Sequence, residues 1–315
     1  KTLELSKGLS TPKQKLAALY EFVVQEVRYV AWEFGIHGFK PYKASTVFDR
    51  RFGDCKDKAT LLCTMLKEVG VEAYPVLINA TTSRPSEDHS LPLIDHFNHC
   101  IAYVPGIGQS GLFVDGTAEN YALGKLPEMD YGAKVVVIRE GVAEQRQISW
   151  EAAGSQYQHE TRTFKIEANG DSQMSLELRA GGFYASQLRN YFNVESATRS
   201  MLLRILGNQF TQLELDRHKI SDMRDLDEAV VIEIGAQLKG YLDFNKDEIL
   251  LPEIKDLFGS LGQLKSKIKL PSRKYDLLLG TPRELRLKSK YLLPRGYKAS
   301  NEGSGEFSST SKYLS

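Results

Sequence analysis

Cysteine is scarce in this chain, with Cys55, Cys63 and Cys100 the only three among 315 residues. Cys55 and Cys63 fall on one predicted helix about 12 Å apart at 1.5 Å per residue, too far to bridge, so no disulfide framework is indicated. Paired short cysteine spacings of a structural zinc site are missing as well. No apolar run approaches the roughly 20 residues needed to span a bilayer, and no signal-peptide pattern is present. An excess of charge is also lacking. Lys and Arg total 41 against 40 Asp and Glu, a net +1 that gives no electrostatic reason to expect nucleic acid or an anionic membrane as partner. Internal repeats, a GxGxxG phosphate loop and heptads are absent. What remains, 42% hydrophobic and 26% charged residues, fits ordinary globular protein, and the length suffices for two domains.

Against that background one cysteine stands out. Cys55 lies in RRFGDCKDKATLLCTMLKEVG. Gly53 closes the preceding segment, Asp54 is a good N-cap, and Asp57 three residues later completes a capping box. Cys55 is then the first helical residue, where unpaired backbone N–H groups and the helix dipole favour thiolate over thiol. Lys56 and Lys58 add positive charge nearby. Cys55, Ala59, Leu62, Leu66 and Val69 recur at helical spacing, so the sulfur points toward whatever packs on this helix. Cys63 and Cys100 read as small buried hydrophobes.

A cysteine nucleophile needs a base and a group that orients the base. HCIAYV alternates as a strand from His99 to Val104, PGIGQSG forms a turn-rich loop, and LFVD forms a second strand ending at Asp115. A hairpin centred near Ile107 sets His99 opposite Asp115, with Cβ atoms roughly 5 Å apart, close enough for a carboxylate to accept from an imidazole N–H. A slip of one residue would put them on opposite faces.

These segments in this order, GDCKDKATLLCTMLKEVGVEAYPVLI, DHFNHCIAYV and GLFVDGTAE, resemble the catalytic core of the transglutaminase-like superfamily, a papain-like cysteine fold. The approach RYVAWEFGIHGFKPYKASTVFDRRFGDCKDKA is similar to bacterial multidomain members in which this core lies between β-rich domains. The likeness covers about the first 140 residues. It implies an α+β fold with the nucleophile helix packed on an antiparallel sheet, and it implies Cys55 as nucleophile, His99 as general base and later acid, and Asp115 as orienting partner. The implied chemistry is attack on a peptide or protein amide, a thioester acyl-enzyme, and then hydrolysis or acyl transfer, with no cofactor and no metal. Trp32 is a candidate second oxyanion donor but reads better as a core or cleft-wall aromatic, and it stays outside the catalytic set. The resemblance also suggests a periplasmic or cell-surface setting. The alternative is a noncatalytic interaction module that keeps the fold.

Elsewhere, Thr11 to Val27 reads as an amphipathic helix with Pro12 in its first turn, and Val71 to Asn79 as a strand. ATTSRPSEDHSLPLIDHFN is a long loop before His99, and its His89, His96, Asp88 and Asp95 form only a weak metal pattern. From about Glu151 the pattern changes to a hairpin around Asn169-Gly170-Asp171, helices over Phe183–Phe192 and Ala197–Phe210, and strand patterns in LDEAVVIEIGAQLKGYLDF and PRELRLKSKYLLP. The expected organisation is a catalytic core over 1–150 and a β-rich α+β accessory domain over 151–315. KTLELSKG and SSTSKYLS read as fragment edges, so a neighbouring domain outside the chain is expected. LKSKIKLPSRK reads as a solvated basic face, and GSGEFSSTS as a turn-rich segment.

Overall fold

The computed structural model describes residues 1–82, 84, 87–152, 154–243, 251–252, 255–258, 272, 274 and 280–297. GSGEFSSTS and most of LKSKIKLPSRK lie outside them.

A short helix α1 (Thr2–Leu5) precedes α2 (Pro12–Glu26), which Thr11 opens with a capping box closed by Gln14. Strand β1 (Arg28–Tyr29) pairs in parallel with β2 (Phe52–Gly53), and between them lies α3 (Ala44–Arg50). Helix α4 (Cys55–Glu68) follows β2 directly. Strands β3 (Tyr74–Ile78), β4 (His99–Val104), β5 (Leu112–Val114), β6 (Lys134–Arg139) and β7 (Val142–Gln147) form an antiparallel sheet in the order β5-β4-β3-β6-β7. β3 is shorter at its start than the strand expected from Val71, and β6 and β7 carry no counterpart in the sequence reading.

The alternation within β4 distributes the core. Ala102 and Val104 pack with Leu19 and Val23 of α2 and Leu62 and Leu66 of α4. Ile101 and Tyr103 face the other side, where they cluster with Val135 and Val137 from the same sheet and with Leu126 and Tyr131 from the segment before β6. Sheet and helix thus bury two separate apolar layers, the dominant source of stability in such an architecture.

The β4–β5 hairpin is centred one residue later than expected. Its pairs are Ala102 with Val114 and Val104 with Leu112, so Asp115 continues the register opposite Ile101 rather than His99. The turn explains the shift. Gly108 and Gly111 both adopt positive φ, and the Tyr103 ring occupies the space that a Cβ on Gly111 would need, with its hydroxyl donating to the Ser110 carbonyl at 2.7 Å. Partner positions move by two, an even number, so His99 and Asp115 keep the same face.

The site end of α4 is held by Asp57. Its buried carboxylate accepts from the Tyr42 N–H and from Arg50 Nη2, each at 2.8 Å, and from the Asp54 N–H at 3.4 Å. Asp57→Ala strands these donors and is expected to destabilise the protein by about 3 kcal/mol. A loss below about 1 kcal/mol in urea unfolding would contradict this account.

The remaining strands β8 (Tyr157–Ile166), β9 (Ser172–Ala180), β10 (Leu213–Ile220), β11 (Val230–Leu238) and β12 (Glu284–Leu292) form a second sheet in the order β10-β11-β9-β8-β12. All pairs are antiparallel except β12 with β8. Helices α5 (Gly182–Tyr191) and α6 (Thr198–Gly207) cover one face through Leu188, Leu202 and Leu206, which join Phe164, Leu176, Leu178 and Ile232 in one cluster. The β8–β9 hairpin turns at Asn169-Gly170-Asp171 as expected. The fold is α+β throughout, with the α4-bearing sheet first and a second β-rich unit after it.

Candidate active site

Cys55 is the first residue of α4. The Asp54 carboxylate accepts from the Asp57 N–H at 3.1 Å, and the Asp57 carboxylate accepts in return from the Asp54 N–H. This reciprocal cap fixes where the helix begins, and with it the direction of the Cys55 side chain. Cys55 is 9% exposed and packs against Ala59 and Cys100.

His99 opens β4 and Asp115 immediately follows β5. Nε2 donates to Asp115 Oδ2 at 3.2 Å, and Cys55 is near enough to help raise the imidazole pKa. Asp115 is 1% exposed, and its Oδ1 accepts from both the Thr117 N–H and the Thr117 hydroxyl at 2.8 Å. With Nε2 engaged by the carboxylate, Nδ1 is the ring nitrogen left for the sulfur. Burial works against a charged His99, but the hydrogen bonds to Asp115 and Cys55 and the charges of Asp115 and Asp130 outweigh it, raising the imidazole to about 11. Burial likewise opposes the Asp115 carboxylate, and its bonds to His99 and Thr117 hold it below its ordinary value.

The fold adds a second carboxyl that sequence reasoning missed. Asp130 is fully buried, neither of its oxygens has a hydrogen-bond partner among the described residues, and ligand atoms of His99, Asp115 and Asp130 all lie within 4.8 Å of one another. Burial, and then the charge of Asp115, push its pKa up to about 8. In the sequence Asp130 is a turn residue in PEMDYG, with no local signal separating it from other loop acids.

The two lysines beside Cys55 part company. The Lys56 ammonium pairs with Asp54. Lys58 is buried rather than surface charge: it donates to the Val27 carbonyl at 2.6 Å, and burial lowers it to about 8. Trp32 is 45% exposed and stacks at 5.7 Å on Phe52, which lies three residues before the cysteine. His89 and His96 face each other at 5.4 Å in the loop before His99, but among the described residues they do not converge with Asp88 and Asp95 into a ligand set.

Residues 2–102, which include Cys55 and His99, match the Transglutaminase-like superfamily core. This region is similar to the transglutaminase-like superfamily. Asp115 and Asp130 lie beyond the matched residues, so the family match does not bear on them. No curated protein matches the chain. Among solved structures, a candidate cysteine protease from Cytophaga hutchinsonii aligns at 16% identity and TM-score 0.29, over 37% of this chain and 35% of that one. A candidate protease from Parabacteroides distasonis aligns at 10% identity and TM-score 0.40, over 84% of this chain and 51% of that one. The chain therefore spans about half or less of these structures. In the transglutaminase-like region, the helix with Cys55 at its N-terminus packs on the sheet that carries His99.

Proposed function

We propose that this chain is a cysteine-dependent amide hydrolase or acyltransferase acting on peptide or protein amides through Cys55, His99 and Asp115. The observation that carries this reading is the imidazole of His99 hydrogen-bonded to the buried Asp115, with Cys55 at the start of α4 contributing to the raised pKa of the ring. In the proposed reaction the raised pKa of His99 keeps the imidazole protonated, with the Cys55 proton resting on Nδ1, and the paired thiolate attacks the carbonyl carbon. The oxyanion is stabilised by the backbone N–H of Cys55 at the start of α4. Collapse breaks the C–N bond, His99 returns its proton to the departing amine, and a thioester remains. Water gives hydrolysis, and an acceptor amine gives transfer. Asp115 keeps the ring oriented and stabilises the imidazolium.

Division of the chain near residue 150 into a catalytic core and an accessory unit belongs to the same proposal, supported by separate apolar clusters under the two sheets. A periplasmic or cell-surface setting is proposed on the resemblance to bacterial multidomain members.

Iodoacetamide labelling across pH, read by peptide mass spectrometry at each cysteine, tests the pairing. Burial pushes Cys63 up to about 12 and raises Cys100 further still, so both should label slowly. Cys55 is expected to react at least tenfold faster than either below pH 8, and to lose that advantage in His99→Ala. Labelling no faster than at Cys63 in folded protein would favour the noncatalytic module.

A further inference from the structure

The reaction above uses one carboxylate, yet two face the histidine. Asp130 is fully buried beside Asp115, and among the described residues neither of its oxygens has a hydrogen-bond partner. Leaving such a group unpaired in the interior costs free energy that a ligand between the two carboxyls would relieve. We propose that His99 Nε2, one carboxylate oxygen of Asp115 and one of Asp130 form a binding site for a divalent transition-metal ion of the zinc class, and that the bound ion switches off Cys55.

Three features support the assignment. Ligand atoms of the three residues lie within 4.8 Å of one another. Donors held at about 2.0–2.2 Å from a tetrahedral ion stand roughly 3.3–3.6 Å apart, and His99 Nε2 and Asp115 Oδ2, at 3.2 Å, need only a small separation to reach that spacing. Only Asp130 then has to approach. The donor set, one imidazole nitrogen with two carboxylates, suits a borderline ion rather than magnesium or calcium, which prefer all-oxygen surroundings. Two carboxylates also balance the charge of a divalent cation, which a buried site requires. Thr117 holds the Asp115 carboxylate, its N–H donating to Oδ1 and its hydroxyl lying 2.8 Å from Oδ1 and 3.0 Å from Oδ2.

The consequence for the thiol follows from the ring. On binding, Nε2 releases its proton to solvent and gives its lone pair to the ion, and Asp130 releases any proton it carries. The one hydrogen left on the imidazole then sits on Nδ1, facing Cys55. No ring lone pair remains to take the thiol proton, and the ring no longer carries its positive charge. This silencing rests on the function proposed above, whereas the binding itself does not.

The two parts are tested separately. Chelator-stripped Cys55→Ala protein, in which the sulfur cannot serve as a ligand, is titrated with zinc chloride by calorimetry in buffers of different ionisation enthalpy. One ion per chain is expected, with net proton release, and affinity should fall at least 100-fold when Asp130→Asn or His99→Ala is added. His96→Ala, which alters the loop histidines, should leave binding unchanged. No binding below about 100 µM, or binding indifferent to Asp130→Asn and His99→Ala, overturns the site. In protein with Cys55 intact, equimolar zinc should slow iodoacetamide labelling of Cys55 at least tenfold, and Asp130→Asn should remove that protection. Binding without protection overturns the switch. If Cys55 is inert even in stripped protein, the catalytic reading fails while the calorimetry still decides the metal site.

Discussion

Cys55→Ala is expected to reduce amide turnover by at least about 10⁴-fold while leaving the fold intact, because it removes the atom that forms the thioester. The residue belongs to a small apolar cluster with Ala59 and Cys100 rather than to the main core, so loss of its sulfur should cost no more than about 1 kcal/mol in urea unfolding. His99→Ala should lower turnover nearly as far, since Cys55 and His99 act as one unit and their losses will not add in the double variant. Asp115→Asn should retain a measurable residue. The amide can still accept from Thr117 through an oxygen, but it no longer holds the imidazole in the required tautomer. A fluorogenic peptide library, assayed in parallel on wild type and the three variants, separates these cases. Turnover surviving in Cys55→Ala would dismiss the assignment outright, and a Cys63→Ala control should alter stability more than rate, because Cys63 belongs to the main helix–sheet core.

The second large effect is on stability. Asp130 has its carboxyl pKa raised from 3.8 to about 8 by burial and by Asp115. Between those values the folded protein keeps a proton that the unfolded chain has released. The stabilisation from this proton is full below about pH 4, falls as pH rises through the window, and is gone above about pH 8. An asparagine in its place would have nearly the same shape and no titration. In chelator-treated protein, Asp130→Asn should therefore gain on wild type steadily from about pH 4 to 8 and then level off. At about 1.4 kcal/mol per pH unit the full difference is on the order of several kcal/mol. Urea unfolding at intervals from pH 4 to 9 checks it. Curves that stay parallel for the two proteins would mean that Asp130 is solvated or paired, which would also remove the reason to place a cation beside it.

The start of α4 was legible because its signals are local. Asp54 and Asp57 cap the helix through bonds spanning three residues, and the apolar spacing after Cys55 needs no distant partner. Thr11 and Pro12 announced α2 in the same way. The His99–Asp115 hairpin was legible in outline and wrong in register, since its turn is set by Tyr103 lying over Gly111, a contact between residues eight apart that alternation cannot reveal. Strands β6 and β7 escaped notice, and the pairing of β6 with β3 joins segments nearly 60 residues apart.

By itself the sequence determined where each proposed catalytic residue sits along its own element, because capping, helical period and strand alternation are encoded within a few residues of one another. Tertiary structure alone decided that the carboxyl of Asp130 comes to lie against His99 and Asp115, and that Lys58 turns inward to Val27. Those positions follow from the way the segment after Leu126 closes over the face of β4 opposite α4, and burial there changes the charge state of a group whose neighbours in the chain say nothing about it.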